Sequence, residues 1–320
     1  MVQNSLTLLN GATSAWRRLI ILLFLVSPSL LDAQDLPPEW QQWTAEASNP
    51  VFVGEEGHWD AWIRERGWIL KEGDIWKLWY TGYDSPEKTM MKLGYATSVD
   101  GIHWKRSERN PIYDDHWVED MMIVRHSGTY YMFAEGAQDQ AQLLTSADGM
   151  TWQRVGTLDV RLVNGQPIPP GPFGTPTAIL KDGVWHLFYE RQDAGVWLAT
   201  SSDMKTWTNV ADEPLIVPGP EPFDRLMIAM NQIVEHHGRY YAVMHGTGSE
   251  EKPRDWCTWF AVSDDLRTWK KCDPGPVIPI RENRSSGVLV EDGGDFRLYT
   301  MHGRVDLYRP SLLSAGASEK

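Results

Sequence analysis

Ionisable residues along this chain gather at two kinds of place: just before a short apolar run, or at the end of an aromatic one. Before the runs stand Asp60, Arg64 and Glu65, then Trp117, Glu119 and Asp120, then Asn231, and finally Ser285 with Ser286. At the ends of aromatic runs stand Glu135, then Glu190 and Arg191 with Asp193 just beyond, then His245 and His302. Carboxyl groups brought into one site can divide the work of bond cleavage, one protonated as acid and one ionised as base or nucleophile. Glu190 is the expected acid and Asp120 the expected base or nucleophile, with Asp60 or Glu119 tuning the pair. Arg64, Glu65, Trp117, Glu135, Arg191, Asp193, Asn231, His245 and His302 are the candidates for holding a substrate. Trp59, Trp117 or Phe173 could supply an aromatic wall. No His/Glu spacing matches a zinc site, and there is no calcium loop, phosphate-binding loop or dinucleotide fingerprint. No metal or cofactor is expected.

These residues need a scaffold that converges them, and the sequence repeats in a way that supplies one. The motif S-x-D-x-x-x-W occurs as SVDGIHW (98–104), SADGMTW (146–152), SSDMKTW (201–207) and SDDLRTW (263–269). A strand-like run precedes each copy, and a second strand starts at or beside each Trp. The Asp-centred turn suits a tight hairpin. Trp104, Trp207 and Trp269 are each followed six residues later by an x-Pro-aliphatic triplet, and so is Trp43. Trp152 lacks the Pro. An aromatic strand stands upstream of each motif: 75–82, 129–136, 184–191 and 239–246. A fifth, 296–303, is followed only by VDLYRP (305–310) and a polar tail. Its missing last strand can be supplied by the segment around Trp43. The expected fold is therefore all-β, a five-bladed β-propeller of four-stranded antiparallel blades closed by the N-terminal strand. In that geometry the starts of first strands and the ends of second strands share one rim, where the ionisable residues converge. The repeated Ser and Asp fall at the opposite rim and are expected to hydrogen-bond the turn backbone.

The bulk numbers narrow the partners. A formal charge of −13 and the absence of a basic stripe argue against nucleic acid. The 17 Trp residues favour strands, and an indole also stacks on the apolar face of a sugar ring. Arg17 and Arg18 precede LIILLFLV (19–26), followed by Ser27-Pro28 and Ala33, the order of a secretory signal peptide. That divides the chain into a signal peptide (1–33), a propeller (34–310) and a polar tail (311–320). It predicts a secreted or periplasmic protein with no membrane association once processed; a retained N-terminal anchor is the alternative. Cys257 and Cys272 fall on neighbouring strands, where either a disulfide or two buried thiols would fit. Oligomeric state is not legible.

YATSVDGIHWKRSERNPI (95–112) resembles the repeat of the five-bladed propeller glycosidases, glycoside hydrolase families 43 and 32 and relatives such as family 130. The resemblance runs through nearly the whole propeller and implies a glycosidase with carboxylates at the starts of inner strands, acting on poly- or oligosaccharide in the axial funnel. VEDMMIVRHSGTYYMF (118–133) looks like the strand that carries the family's acidic residue, which places Asp120, with Glu119 beside it, at that position. The blade-one equivalent is Glu65-Arg66. Where family 43 carries Glu-Gly-Pro at the start of blade three, this chain reads Gly174-Thr175-Pro176, and the family 32 Asn-Asp-Pro motif is absent. An acid must then come from elsewhere, with Glu190 or Glu135 the candidates. A glycoside phosphorylase or transferase, and a non-catalytic carbohydrate-binding propeller, remain the alternative readings.

Overall fold

The computed structural model describes residues 36–311, apart from residues 86, 88, 89, 252 and 253. The expected signal peptide and the tail beyond Ser311 lie outside the described residues. Five antiparallel sheets follow one another along the chain. Blade one is Trp68–Glu72, Ile75–Tyr83, Lys92–Ser98 and Lys105–Arg106; blade two is Glu119–His126, Thr129–Gly136, Gln140–Ser146 and Gln153–Thr157. Blade three is Gly174–Lys181, Val184–Glu190, Val196–Ser201 and Thr206–Asn209; blade four is Met227–His236, Arg239–Thr247, Cys257–Ser263 and Lys270–Lys271. Blade five is Gly287–Asp292, Asp295–Met301 and Val305–Pro310, completed by Trp43–Ala45 from the other end of the chain. Trp43 pairs with Pro310, Thr44 with Arg309 and Ala45 with Tyr308, so the ring closes where the repeat predicts. Among the described residues no helix is long and apolar enough to cross a membrane.

Two short strands escape the sequence pattern. Trp62–Ile63 pairs with Tyr83 and Gly82 at the end of blade one's second strand. Asp159–Arg161 runs parallel to Thr206–Asn209 outside blade three. Both belong to connections between blades, where no repeat constrains the reading.

The motif turns do what the spacing implies. Ser98 Oγ accepts the N–H groups of Asp100 (3.2 Å) and Gly101 (2.9 Å), while Asp100 Oδ1 accepts those of Ile102 and His103 (2.8 Å each). The same bonds recur around Ser146 and Asp148, Ser201 and Asp203, and Ser263 and Asp265. The motif Trp then wedges against the second strand of the preceding blade. Trp207 meets Phe133 edge-on at 5.9 Å, Trp269 meets Phe188 at 5.7 Å, and Trp104 meets Tyr299 across the closing seam at 6.5 Å. Edge-to-face pairs add roughly 0.5–1.5 kcal/mol each beyond the area they bury. Cys257 and Cys272 are free, buried thiols rather than a disulfide. Register separates them, because Cys272 hydrogen-bonds to Phe260 and not opposite Cys257. Burial pushes the Cys257 thiol up to about 12.

Candidate functional site

At the start of the inner strands the chain leaves regular β geometry. Arg66, Asp120, Thr175 and Ser286 take φ values of 51°, 48°, 50° and 57°, in the left-handed region. The pairing slips between Glu119 and Met122, between Gly174 and Thr177, and between Met230 and Gln232. A non-glycine residue held there costs about 1–3 kcal/mol, which the neighbouring blades must offset. The slips re-aim side chains towards the axis.

Arg66 occupies the floor and is buried. Its N–H donates to Met301 O of blade five (3.2 Å) and its carbonyl accepts from Met121 N of blade two (3.0 Å). Its guanidinium donates to Pro176 O and Thr177 Oγ1 of blade three (3.3 Å each), and Thr177 Oγ1 in turn donates to Met230 O of blade four (2.7 Å). Arg66 and Thr177 together thus link all five blades.

Above it opens an axial cavity of about 270 Å³. Its walls carry the carboxyl groups of Glu65, Asp120, Glu135, Asp139, Glu190 and Asp193, together with Arg64, His245 and Trp256. Seven residues expected from the sequence therefore meet there: Arg64, Glu65, Asp120, Glu135, Glu190, Asp193 and His245. Asp139, Gln192 and Trp256 also line it and were not expected, since each sits in a loop outside the repeat.

The carboxyls are driven apart in acid strength. Burial, then the charge of Glu65, raises Asp120 to about 8 against the pull of Arg64 and Arg66. Asp120 Oδ1 is buried and has no hydrogen-bond partner among the described residues. Burial would raise Glu65 too, but His302 and Arg64 overcome it and hold that carboxylate at about 2. Arg64 lies 2.6 Å from Glu65 Oε1, and His302 Nδ1 lies 3.3 Å from Glu65 Oε2. Burial raises Glu190 to about 7, with Asp193 adding to it. Burial also raises Glu135 well above the carboxylate range, followed by repulsion from Asp120 and Glu119. His245 is buried, held neutral by a fall to about 3, and fixed by a 2.7 Å bond between its Nδ1 and Asn231 Oδ1. Trp256 meets it edge-on at 5.3 Å.

Glu135 explains the acid missing from blade three. Its Oε2 accepts the Thr175 N–H (2.9 Å), and a Cβ at Gly174 would stand 2.0 Å from that same oxygen. The carboxyl group of blade two therefore fills the space a side chain at position 174 would need, and a larger residue there would have to displace the Glu135 carboxylate.

The remaining expected residues do not line the cavity. Asp60 is wholly buried to one side, its Oδ2 accepting from Tyr80 OH and Arg106 Nε (2.8 Å each). These bonds hold Asp60 among Tyr80 and Arg106, outside the lining of the cavity. Glu119 accepts from Arg64 Nε and from Trp117 Nε1 (2.6 Å each), so both Glu119 and Trp117 act behind the wall. His302 also bonds Ser285 (2.9 Å), Asn231 orients His245, and Arg191 donates to Pro169 O (2.7 Å). Phe173 is buried in the core, and Trp59 lines a different cavity. Glu119, Glu135 and Asp139 bring carboxylate oxygens within 4.8 Å of one another, close enough to bridge a hard cation. Glu119 is already paired with Arg64. At the opposite rim His236 ends the first strand of blade four, bonds Glu39 (2.9 Å) and stacks on Trp40.

No protein-family model matches the chain. It is 30% identical over 99 residues to an uncharacterised protein of Mycobacterium tuberculosis, covering 28% of this chain and 33% of that one. It is 26% identical over 155 residues to a 1,2-β-oligomannan phosphorylase of Thermoanaerobacter, covering 45% of this chain and 48% of the enzyme. The matches thus span between a third and a half of those relatives' own lengths. A glycosyl hydrolase from Bacteroides ovatus superposes with a TM-score of 0.69 at 16% identity, over 87% of this chain and 98% of that structure. The five-bladed architecture is therefore shared with carbohydrate-active propellers.

Proposed function

We propose that this protein hydrolyses glycosidic bonds in the axial cavity, with Asp120 as the acid and Glu190 as the base. One observation carries the reading: Asp120 and Glu190 line one cavity in which burial raises both carboxyls, Asp120 to about 8 and Glu190 to about 7, while Glu65 is held at about 2. Such separation is how a site keeps one carboxyl protonated for a leaving group while another stays charged. Asp120 lines the cavity, its Oδ1 is buried without a hydrogen-bond partner among the described residues, and it holds its proton at neutral pH. Glu190, near 7, is a stronger base than Glu65 and remains substantially ionised at the same pH. Glu65 is locked between Arg64 and His302 and serves as a fixed negative charge. These roles run opposite to the sequence expectation, which assigned the proton to Glu190. The difference comes from burial and from the charge of Glu65, neither visible in the sequence.

Similarity to an oligomannan phosphorylase favours a second reading, cleavage by phosphate. The cavity walls oppose it. They carry six carboxyl groups, while Arg64, the one Arg or Lys lining them, is already paired to Glu65 and Glu119, and His245 is neutral. An incoming phosphate dianion would meet repulsion from these carboxylates, with Arg64 already engaged. The test is to incubate the protein with β-1,2-linked mannooligosaccharides, with and without inorganic phosphate. Hydrolysis releases free sugar at a rate indifferent to phosphate. A sugar 1-phosphate product formed only with phosphate would establish the second reading.

A further inference from the structure

Beside the axial cavity lies a second and larger one, about 710 Å³, lined by Glu56, Gly57, His58, Trp59, Ala61, Trp62 and Asp84. It contains the only exposed Trp, Tyr or Phe side chain among the described residues: Trp62, 45% exposed, although it stacks on Tyr83 with ring centroids 5.8 Å apart. Leaving that much indole in water is unfavourable unless something covers it. Its position is held firmly. Trp62 pairs in register with Tyr83 at the end of blade one's second strand. Next to it Trp59 is seated on Tyr80, its ring passing so close to Gly82 that a Cβ there would stand 2.7 Å from the indole. Around the indoles Glu56, His58 and Asp84 are exposed; neither Glu56 nor Asp84 has an ion-pair partner among the described residues. A flat apolar face ringed by carboxylate acceptors and an imidazole matches a pyranose ring, which offers C–H groups on its face and hydroxyls at its edge.

The chain connects this platform to the chemistry. Ile63 follows Trp62, and the next residue is Arg64, whose side chain lines the axial cavity. Arg64 N continues the same pairing by donating to Thr81 O (2.9 Å). Trp62 and Arg64 are thus roughly 7 Å apart along an extended chain. We infer that Trp62, with His58, Glu56 and Asp84, forms an outlying subsite that binds a sugar unit of an oligosaccharide beyond those held in the axial cavity. The inference rests on the glycosidase reading and adds to it a preference for longer chains.

The experiment compares kcat/KM for wild type, Trp62→Ala, Trp62→Phe and Asp84→Ala on β-1,2-mannooligosaccharides of increasing length. For Trp62→Ala the loss should grow with chain length, reaching about tenfold on the longest, since one stacked ring contributes roughly 1–1.5 kcal/mol. The loss should fall in KM rather than kcat. Trp62→Phe should recover most of it, and Asp84→Ala should show the same length dependence more weakly. An equal loss at every length, or none, in a folded and active Trp62→Ala protein overturns the subsite and leaves the glycosidase reading standing. Wild-type protein that cleaves none of the sugars, with or without phosphate, overturns the underlying reading instead.

Discussion

The two rims of the propeller were built from the same repeat and treat it in opposite ways. At the motif rim, four turns use the same Ser and the same Asp on the same backbone N–H groups. At the axial rim the corresponding starts of inner strands read Glu65-Arg66, Glu119-Asp120, Gly174-Thr175, Met230-Asn231 and Ser285-Ser286, no two alike. The first rim is repetitive even in its backbone, each turn placing one residue (Gly101, Gly149, Met204 or Leu266) in the left-handed region directly after the Asp. The second buries charge, bends four residues into left-handed backbone and forces carboxyls together. Repetition marks what every blade needs to fold, and divergence marks what only one place in the ring needs to do.

Asp120→Asn breaks the comparison most sharply. It should lower kcat/KM by about 10²–10⁴ while leaving the protein folded. Because the folded-state pKa of Asp120 is raised to about 8, the native protein binds this proton more tightly than the unfolded chain does. Asp120 therefore lowers stability as pH rises from about 4 towards 8, and the Asn variant should melt higher than wild type at pH 8–9. In wild type the rate should fall above about 8 as Asp120 ionises and below about 7 as Glu190 protonates, a narrow bell in kcat/KM. A variant that keeps full activity would remove Asp120 from the mechanism.

Trp207→Ala tests the scaffold side. It deletes a wholly buried indole wedged against Phe133 and should cost about 3–5 kcal/mol, read from denaturant unfolding. At temperatures where the variant remains folded, its pH profile should match wild type. The smallest effect belongs to the motif rim: Asp148→Ala loses two backbone hydrogen bonds in an exposed turn and should cost only about 1 kcal/mol, with kcat/KM unchanged. A large catalytic effect from Asp148 would erase the distinction between the rims.

The sequence reveals these two rims unequally. The ring was legible because each blade states it again, down to the missing strand that Trp43–Ala45 supplies. The convergence of Arg64, Glu65, Asp120, Glu135, Glu190, Asp193 and His245 followed from topology alone. What topology does not convey is which neighbour a long side chain chooses. Asp60 turns to Arg106 and Tyr80 rather than to the axis, and Glu119 turns back to Arg64. Glu135 crosses to blade three and sits where Gly174 leaves room, a contact between residues 40 apart that no local pattern encodes. Trp256 and Asp139 arrive on loops between strands, and Arg66 has no signature of the left-handed conformation it adopts.

The closing strand has a consequence in time. Trp43–Ala45 pairs with Tyr308, Arg309 and Pro310, so the first strand of the ring to leave the ribosome has no partner until the last one is made. At ordinary elongation rates that interval is on the order of 10–50 s. Throughout it, blade five lacks its fourth strand and Trp43–Ala45 has no strand to pair with. Long-range pairing of this kind makes the final annealing step late and slow, and leaves the nascent chain exposed to misassociation and proteolysis until the two ends meet. Joining the ends makes the finished ring indifferent to where its chain begins, but the unfinished one depends on it completely.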